Sequence, residues 1–597
     1  MGEYVAPLKD MNFVLAEIAK IDEINQLPGF EEATPDLIEA VLEEASKFAT
    51  DVLSPLNKVG DTIGAKHEGD EVTTPPGWKD AYQLFSESGW SGLSGAPEFG
   101  GQGLPKTLAT AVDEMWNGSN MAFAVGAMLT TGAVHAIEHH ANDELKSAYI
   151  PRMLSGEWTG TMNLTEPQAG SDLSQVRSKA VPNGDHYLIS GQKIFITYGE
   201  HDLSENIVHL VLARTPDAPA GTRGISLFIV PKFLVNDDGS LGARNDLRCA
   251  SIEHKLGIHG SPTAVMSYGD SDGAIGYLVG EENKGLMYMF TMMNAARHAV
   301  GLEGVALSER AYQHALEYAR DRVQGKPVGS TSEGAAIIEH PDVRRMLMEM
   351  KSKTEAMRAL AYVCAAAYDK ASNELDEQRK AQAIRRGDFL TPIVKGWSTE
   401  VGNEVTSLGV QIHGGMGYIE ETGAAQYFRD ARITTIYEGT TGIQAGDLVG
   451  RKTLRDGGAE AREVIAEMTQ VANDAAASTH SEIKGFAQKF QQAISSVEGI
   501  VDWIINAEQA DPRLPAAASV RYLMLWGNLC GAWQLTASAL AAEAQLAAGG
   551  DIDETFLNAK ISTASFYARH VLPQVDALAT VITDGSESVF AIDAEVL

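Results

Sequence analysis

The hydrophobic period of this chain changes twice along its length, and no other feature narrows the fold as much. From about residue 35 to 156, apolar residues recur at intervals of three and four, as in ATPDLIEAVLEEASKFATDVLSPL. That spacing predicts helices, interrupted by the turn-rich EVTTPPGW and GAPEFGGQGLP, with a nearly all-apolar helix over Met121 to His140. Between about 157 and 282 the pattern shifts to short β-branched runs. HYLISGQKIFITYG reads as two runs around Ser190-Gly191, with NIVHLVLAR and GISLFIVPKFL as further strands. Asn-Gly, Ser-Gly and Asp-Gly turns between such runs predict a compact antiparallel sheet or barrel. The helical period returns at Gly285, and after Lys452 the Gly457-Gly458 pair opens an alanine-rich helical tail.

The expected fold class is therefore α+β and mainly α. The expected units are a 1–34 extension, an N-terminal helical domain over 35–156, a middle antiparallel β domain over 157–282, a C-terminal helical bundle over 283–452 and an additional helical domain over 453–597. The extension is too short to bury a core alone, so its Tyr4, Val5, Met11, Phe13 and Leu15 are expected to pack on a neighbour.

With 80 acidic against 47 basic residues the formal charge is −33, which repels phosphate backbones and anionic membranes. Nucleic-acid binding is not expected, although net charge says nothing about one cleft. Cys249, Cys364 and Cys530 are far apart and lack a CxxC spacing, so a reducing cytosol fits and a cytoplasmic protein is expected. The N-terminus has the composition of neither a secretion signal nor a transit segment. Met121 to Ile137, the most apolar window, is at the short end for a membrane span and reads as a buried helix.

The chemistry centres on Glu438 in IYEGT. One carboxylate stands among β-branched and aromatic residues and is followed at once by a glycine that lets a backbone approach. In an apolar pocket such a Glu is stabilised in its neutral form, its pKa moves toward the operating pH, and it suits general-base work. The pentapeptide alone reads equally well as a solvated loop carboxylate. His135, His139 and His140 have no further ligand spacing and read as a solvated helix end, so no metal site is expected. Gly415-Met416-Gly417 follows no strand and has Glu420 at the sixth position, which fails a dinucleotide fingerprint.

Taken together, IYEGTTGIQ, LTEPQAGSD at Leu164 to Asp172 and QIHGGMGY at Gln411 to Tyr418 resemble the acyl-CoA dehydrogenases, in the family's order and spacing. The likeness runs from about residue 35 to 452, and the whole-chain pattern is nearest to the long bacterial members that oxidise 3-(methylthio)propanoyl-CoA. The resemblance implies FAD as cofactor, because side chains supply a base but no hydride acceptor. It implies that Glu438 takes the α-proton of an acyl-CoA, while its own N–H and a ribityl hydroxyl hold the thioester carbonyl. Gly439 would keep the substrate gap open.

By the same resemblance Met162, Leu164 and Thr165 lie beside the isoalloxazine, with Gly170 and Ser171 near the phosphates and Ser171 also near substrate. Phe195 and Thr197 place an aromatic and a hydroxyl against the flavin, Phe195 standing where the family commonly has tryptophan. Arg322 and Gln324 would meet the pyrophosphate and adenine side, with an apparent one-residue deletion after Gln324. Gln411, Gly414 and Gly415 would meet the adenosine diphosphate part, and Thr440 completes the set. Asn294 and Arg297, one helical turn apart, would clasp CoA, Asn294 replacing the family's acid.

The implied partners are an electron-transfer flavoprotein and a second copy of the chain in a dimer. 3-(methylthio)propanoyl-CoA is the first substrate and ordinary short- to long-chain fatty acyl-CoA the second. A thioether sulfur is close in size to a methylene, which is worth only about 1–3 kcal/mol of discrimination. A flavin-bearing DNA-binding protein of the same fold is the reading from another class, and the acidic excess opposes it.

Overall fold

The computed structural model describes residues 3–329, 331 and 334–596, which form two compact units. One comprises Glu44–Pro105 and Met115–Ala299, the other Met1–Glu43, Lys106–Glu114 and Val300–Leu597.

The first unit is built on an eight-stranded sheet. Its path runs Leu247–Ile252, Thr263–Tyr268, His186–Thr197, Ala274–Leu278, Ser226–Pro231, Asn206–Ala213 and Trp158–Asn163, with Lys179–Asn183 paired to His186–Thr197 off this path. Every pairing is antiparallel except Trp158–Asn163 on Asn206–Ala213, which is parallel. Alternation along the strands feeds two cores. Val208, Leu210 and Leu212 pack with Leu129, Val134, Ile137, Ile150 and Met153 from the helices. Val211 and Ala213 pack with Ile189, Phe228, Val230 and Met266 on the other face. Asn206–Ala213 is buried throughout, which explains why it is apolar on both faces apart from Asn206 and His209.

HYLISGQKIFIT is one twelve-residue strand, not two runs. Gly191 takes φ +139° within it because a Cβ there would meet Ser178 Oγ at 2.5 Å, so the dipeptide bends a strand that continues. A small hairpin, Lys66–Glu68 with Glu71–Thr73, interrupts the N-terminal helices at the turn-rich EVTTPPGW. The long apolar helix spans Lys106–His140 and breaks at Asn120 (φ −158°, ψ 83°), whose Oδ1 accepts from the Phe123 N–H at 3.2 Å and caps the second segment. Its most apolar window is 72% buried. His140 is not a solvated end: its ring stacks on Tyr288 at 4.4 Å and its Nε2 bonds the Thr291 hydroxyl at 2.7 Å.

The second unit is helical, and its described residues contain no strand beyond an isolated bridge between Val323 and Ala336. Gly285–Asp321, which begins in the first unit, continues here and crosses Glu377–His413 closely. A Cβ on Gly304 would sit 2.4 Å from Ser398 O, and one on Gly402 would sit 3.0 Å from Gly304 Cα. Pro341–Asn373 lies alongside, and the tail adds Ala459–Ala477, Ser481–Ala510, Arg513–Ala548, Glu554–His570 and Gln574–Gly585. Arg513–Ala548 docks through Gly527, where a Cβ would strike Trp397 at 2.0 Å, and Trp397 Nε1 donates to Asn528 Oδ1 at 3.1 Å.

The N-terminal extension packs into this unit, with Tyr4, Met11, Phe13 and Leu15 buried and Phe13 edge-on to Phe556 at 5.7 Å. Val5 is 62% exposed instead; its main chain does the work, exchanging hydrogen bonds with the Gln313 amide at 3.2 and 2.7 Å.

Candidate active site

Glu438 lies between the Arg432–Thr435 turn and the Thr441–Val449 helix, half-buried, with φ +53°. Gly439 follows at φ +93°, so two consecutive residues are left-handed, a conformation that costs a non-glycine roughly 1–2 kcal/mol. The surroundings enforce it. Lys395 Nζ, on a fully buried side chain, donates to Thr434 O and Gly439 O at 2.7 Å each. Gln444 Nε2 reaches Glu438 O at 3.4 Å and Gly439 O at 3.3 Å. Thr440 caps the next helix, its Oγ1 accepting from the Ile443 N–H at 3.3 Å. The Tyr437 hydroxyl donates to the fully buried Glu303.

In the same unit Arg322, Gln324, Gln411, Gly414 and Gly415 are all exposed. Arg322 directly follows its helix, and its Nη2 lies 3.4 Å from Gln324 Oε1. Gly414 ends Glu377–His413 at φ +60°, and a Cβ on it or on Gly415 would meet nothing within 4 Å.

The remaining predicted residues belong to the sheet unit. Met162, 7% exposed, is on Trp158–Asn163, and Leu164 and Thr165 follow half-buried. The Ile194 N–H donates to Thr165 O at 2.9 Å and Thr161 Oγ1 to Thr197 O at 2.7 Å, which brings LTEPQAGSD and KIFITYG together. Beneath them Glu166 Oε1 accepts from Lys193 Nζ at 2.8 Å and Ser178 Oγ at 2.6 Å, while Oε2 accepts from the Arg177 N–H at 2.7 Å. Burial alone would push the Glu166 pKa up; the Lys193 charge and these hydrogen bonds outweigh it and hold the carboxyl at about 2. Lys193 also donates to Leu164 O at 3.1 Å. On this support Phe195 takes φ +59° and leaves its ring 59% exposed. Gly170 and Ser171 are exposed, with open space around Gly170. Asn294 is half-buried and Arg297 buried, one turn apart on Gly285–Asp321.

Taken separately, the two sets have chemistry that suits different parts of FAD. The sheet unit offers an uncovered aromatic face at Phe195, the Thr165, Thr197 and Ser171 hydroxyls for polar edges, and unobstructed backbone at Gly170 for an anionic group. The helical unit offers a second open stretch at Gly414 and Gly415, and separately the exposed Arg322 and Gln324.

Glu303, Lys395, Glu166 and Lys193 were not singled out from sequence. A lone Glu in GLEGVAL and a lone Lys in LTPIVKGW, each inside an apolar helical run, were the available signals.

Four family models match the chain. They are the acyl-CoA dehydrogenase N-terminal domain over residues 36–157, middle domain over 161–271 and C-terminal domain over 283–452, and an acetyl-CoA dehydrogenase C-terminal-like model over 464–593. The 3-methylmercaptopropionyl-CoA dehydrogenase of Ruegeria pomeroyi is 51% identical, the match covering 98% of this chain and 99% of the relative. A butyryl-CoA dehydrogenase of Syntrophomonas wolfei is 36% identical over 96% of this chain and 95% of its own length. The fold is that of the acyl-CoA dehydrogenase of Bacillus anthracis solved with FAD, at TM-score 0.70 and 23% identity, covering 98% of this chain and 92% of that one. The chain belongs to the acyl-CoA dehydrogenase family, whose enzymes are FAD-dependent oxidoreductases.

Proposed function

We propose that this enzyme removes hydrogen across Cα–Cβ of 3-(methylthio)propanoyl-CoA to give 3-(methylthio)acryloyl-CoA, with Glu438 as the base. The observation that carries the base assignment is the left-handed turn in which Lys395 and Gln444 clamp the carbonyls around Glu438. Strain held this firmly at one acidic residue suits a group that must meet a substrate in a fixed pose.

When bound, FAD supplies the acceptor for the β-hydride. Met162, Leu164, Thr165, Gly170, Ser171, Phe195, Thr197, Arg322, Gln324, Gln411, Gly414, Gly415 and Thr440 would hold it. Glu438 takes the α-proton on its carboxylate, and its N–H donates to the thioester carbonyl, which stabilises the enolate-like charge as it develops. Gly439 leaves that approach open, and Ser171, Asn294 and Arg297 hold the CoA thioester.

The 51% identical relative named for 3-methylmercaptopropionyl-CoA supports this substrate. The relative named for butyryl-CoA supports a fatty acyl-CoA dehydrogenase as the second reading. kcat/KM measured on 3-(methylthio)propanoyl-CoA beside butanoyl- to dodecanoyl-CoA separates them: the thioether is expected to lead, and a butanoyl-CoA value above it favours the second.

An electron-transfer flavoprotein as acceptor and a homodimer complete the proposal. The exposed apolar residues Met416, Tyr418, Ile419 and Phe428, beside the Gln411–Gly415 stretch, support a subunit contact. Three buried free cysteines support a cytoplasmic setting.

A further inference from the structure

Glu303 belongs to Gly285–Asp321 and has no solvent exposure. The next residue, Gly304, lies at the close crossing with Glu377–His413, where a Cβ would sit 2.4 Å from Ser398 O. One carboxyl oxygen accepts from the Tyr437 hydroxyl; the other is buried with no hydrogen-bond partner. Buried carboxyl oxygens ordinarily each have a hydrogen-bond partner, so a half-served carboxyl next to the turn that carries Glu438 calls for a role.

We propose that Glu303 is a positioning residue for the dehydrogenation: through the Tyr437 hydroxyl it fixes the turn presenting Glu438, and its own charge tunes the base across that tyrosine. The proposal rests on Glu438 being the base.

The groups facing Glu303 are Tyr437, the Lys395 ammonium and Glu438, and Tyr437 in turn faces Glu438 and Asp430. Burial pushes the Glu303 pKa up to about 8; the Tyr437 hydrogen bond and the Lys395 charge pull against this, and the Glu438 charge adds to it. Below that value Glu303 is neutral. As pH rises through it, the Glu303 proton leaves to solvent and a second negative charge faces the base. A like charge raises the proton affinity of Glu438 and so strengthens it as a base. Without the Tyr437 hydroxyl, the Glu303 anion loses a donor and its ionisation moves to higher pH.

The test is the kcat/KM profile of the FAD-loaded enzyme from pH 6 to 10, on the thioester it turns over fastest. The native enzyme is expected to show an upward step near pH 8, which Glu303→Gln abolishes and Tyr437→Phe moves to higher pH. Difference infrared spectra supply a readout without turnover: a protonated-carboxyl stretch that vanishes over the same range and is missing in Glu303→Gln. A step that persists in Glu303→Gln, a native profile without one, or a carboxyl stretch unaffected by the substitution overturns the proposal. Glu438→Gln separates the two levels. If that variant turns over at the native rate, the base assignment itself fails; if it is inactive while Glu303→Gln keeps the native profile, only the role of Glu303 fails.

Discussion

Lys395 donates from its buried ammonium to the carbonyl of Gly439 at 2.7 Å, and this contact, with its twin to Thr434 O, braces the turn that carries Glu438. Lys395→Met keeps most of the stem's volume and removes both donors. Thr434 O loses its donor, at a cost of about 1–3 kcal/mol, and Gly439 O keeps only the longer contact from Gln444 Nε2 at 3.3 Å. The expected result is a lower melting temperature together with a fall in kcat, and an unchanged kcat would contradict the positioning role.

Gly439→Ala addresses the same turn from the backbone. Alanine at φ +93° is strained by roughly 1–2 kcal/mol, and its Cβ would crowd Gln444 Nε2 at 2.7 Å. Steady-state kinetics are expected to show kcat reduced with FAD content retained, because no residue assigned to the flavin on the sheet unit is touched.

Glu166 and Lys193 give a pH prediction. The folded Glu166 carboxyl, at about 2, lies below its ordinary 4.5, so the stability it contributes is present above about pH 4.5 and fades as pH falls toward 2. Lys193→Met strands that carboxylate, at a cost of about 3–5 kcal/mol. Denaturant unfolding at neutral pH should move to lower denaturant, the deficit should shrink as falling pH neutralises the stranded carboxyl, and purified protein should carry less FAD because the Leu164–Asp172 loop loses its anchor.

Arg358 ties three parts of the helical unit together. Its guanidinium bonds Glu114 at 2.6 Å, Asp10 at 2.6 Å and Glu309 at 2.8 Å, and Asp10 also pairs with the buried Lys560 of the tail. Arg358→Met leaves these acids without their shared cation, and removing one partner of a buried pair costs about 3–5 kcal/mol. Thermal unfolding should fall accordingly, with no change in the flavin spectrum of the native fraction.

The Glu438 turn and the Leu164–Asp172 loop stood out as candidates because their residue types are local: a carboxylate before glycine, and a Thr-Glu-Pro-x-Ala-Gly-Ser-Asp turn, can be read without a partner. The order of helical, strand and helical segments was legible from period alone. What was not legible depends on distant partners. Lys395 meets Gly439 across forty-four positions, Glu303 meets Tyr437 across 134, and Lys560 meets Asp10 across 550. Lys560 in the tail acquires its meaning only against Asp10 and Glu355, which lie far from it in sequence. Ser190-Gly191 resembles a turn by composition, and only pairing on both flanks, Lys179↔Ser190 and Tyr268↔Gly191, keeps the strand running through it.

Rapid anaerobic mixing of the FAD-loaded enzyme with 3-(methylthio)propanoyl-CoA, followed at the flavin absorbance maximum, tests the assignment of Glu438 most directly. A general base contributes about 10²–10⁴-fold to such a step. The native enzyme is expected to bleach in a single turnover and Glu438→Gln to stay yellow or bleach at least a hundredfold more slowly; bleaching of that variant at the native rate would contradict it.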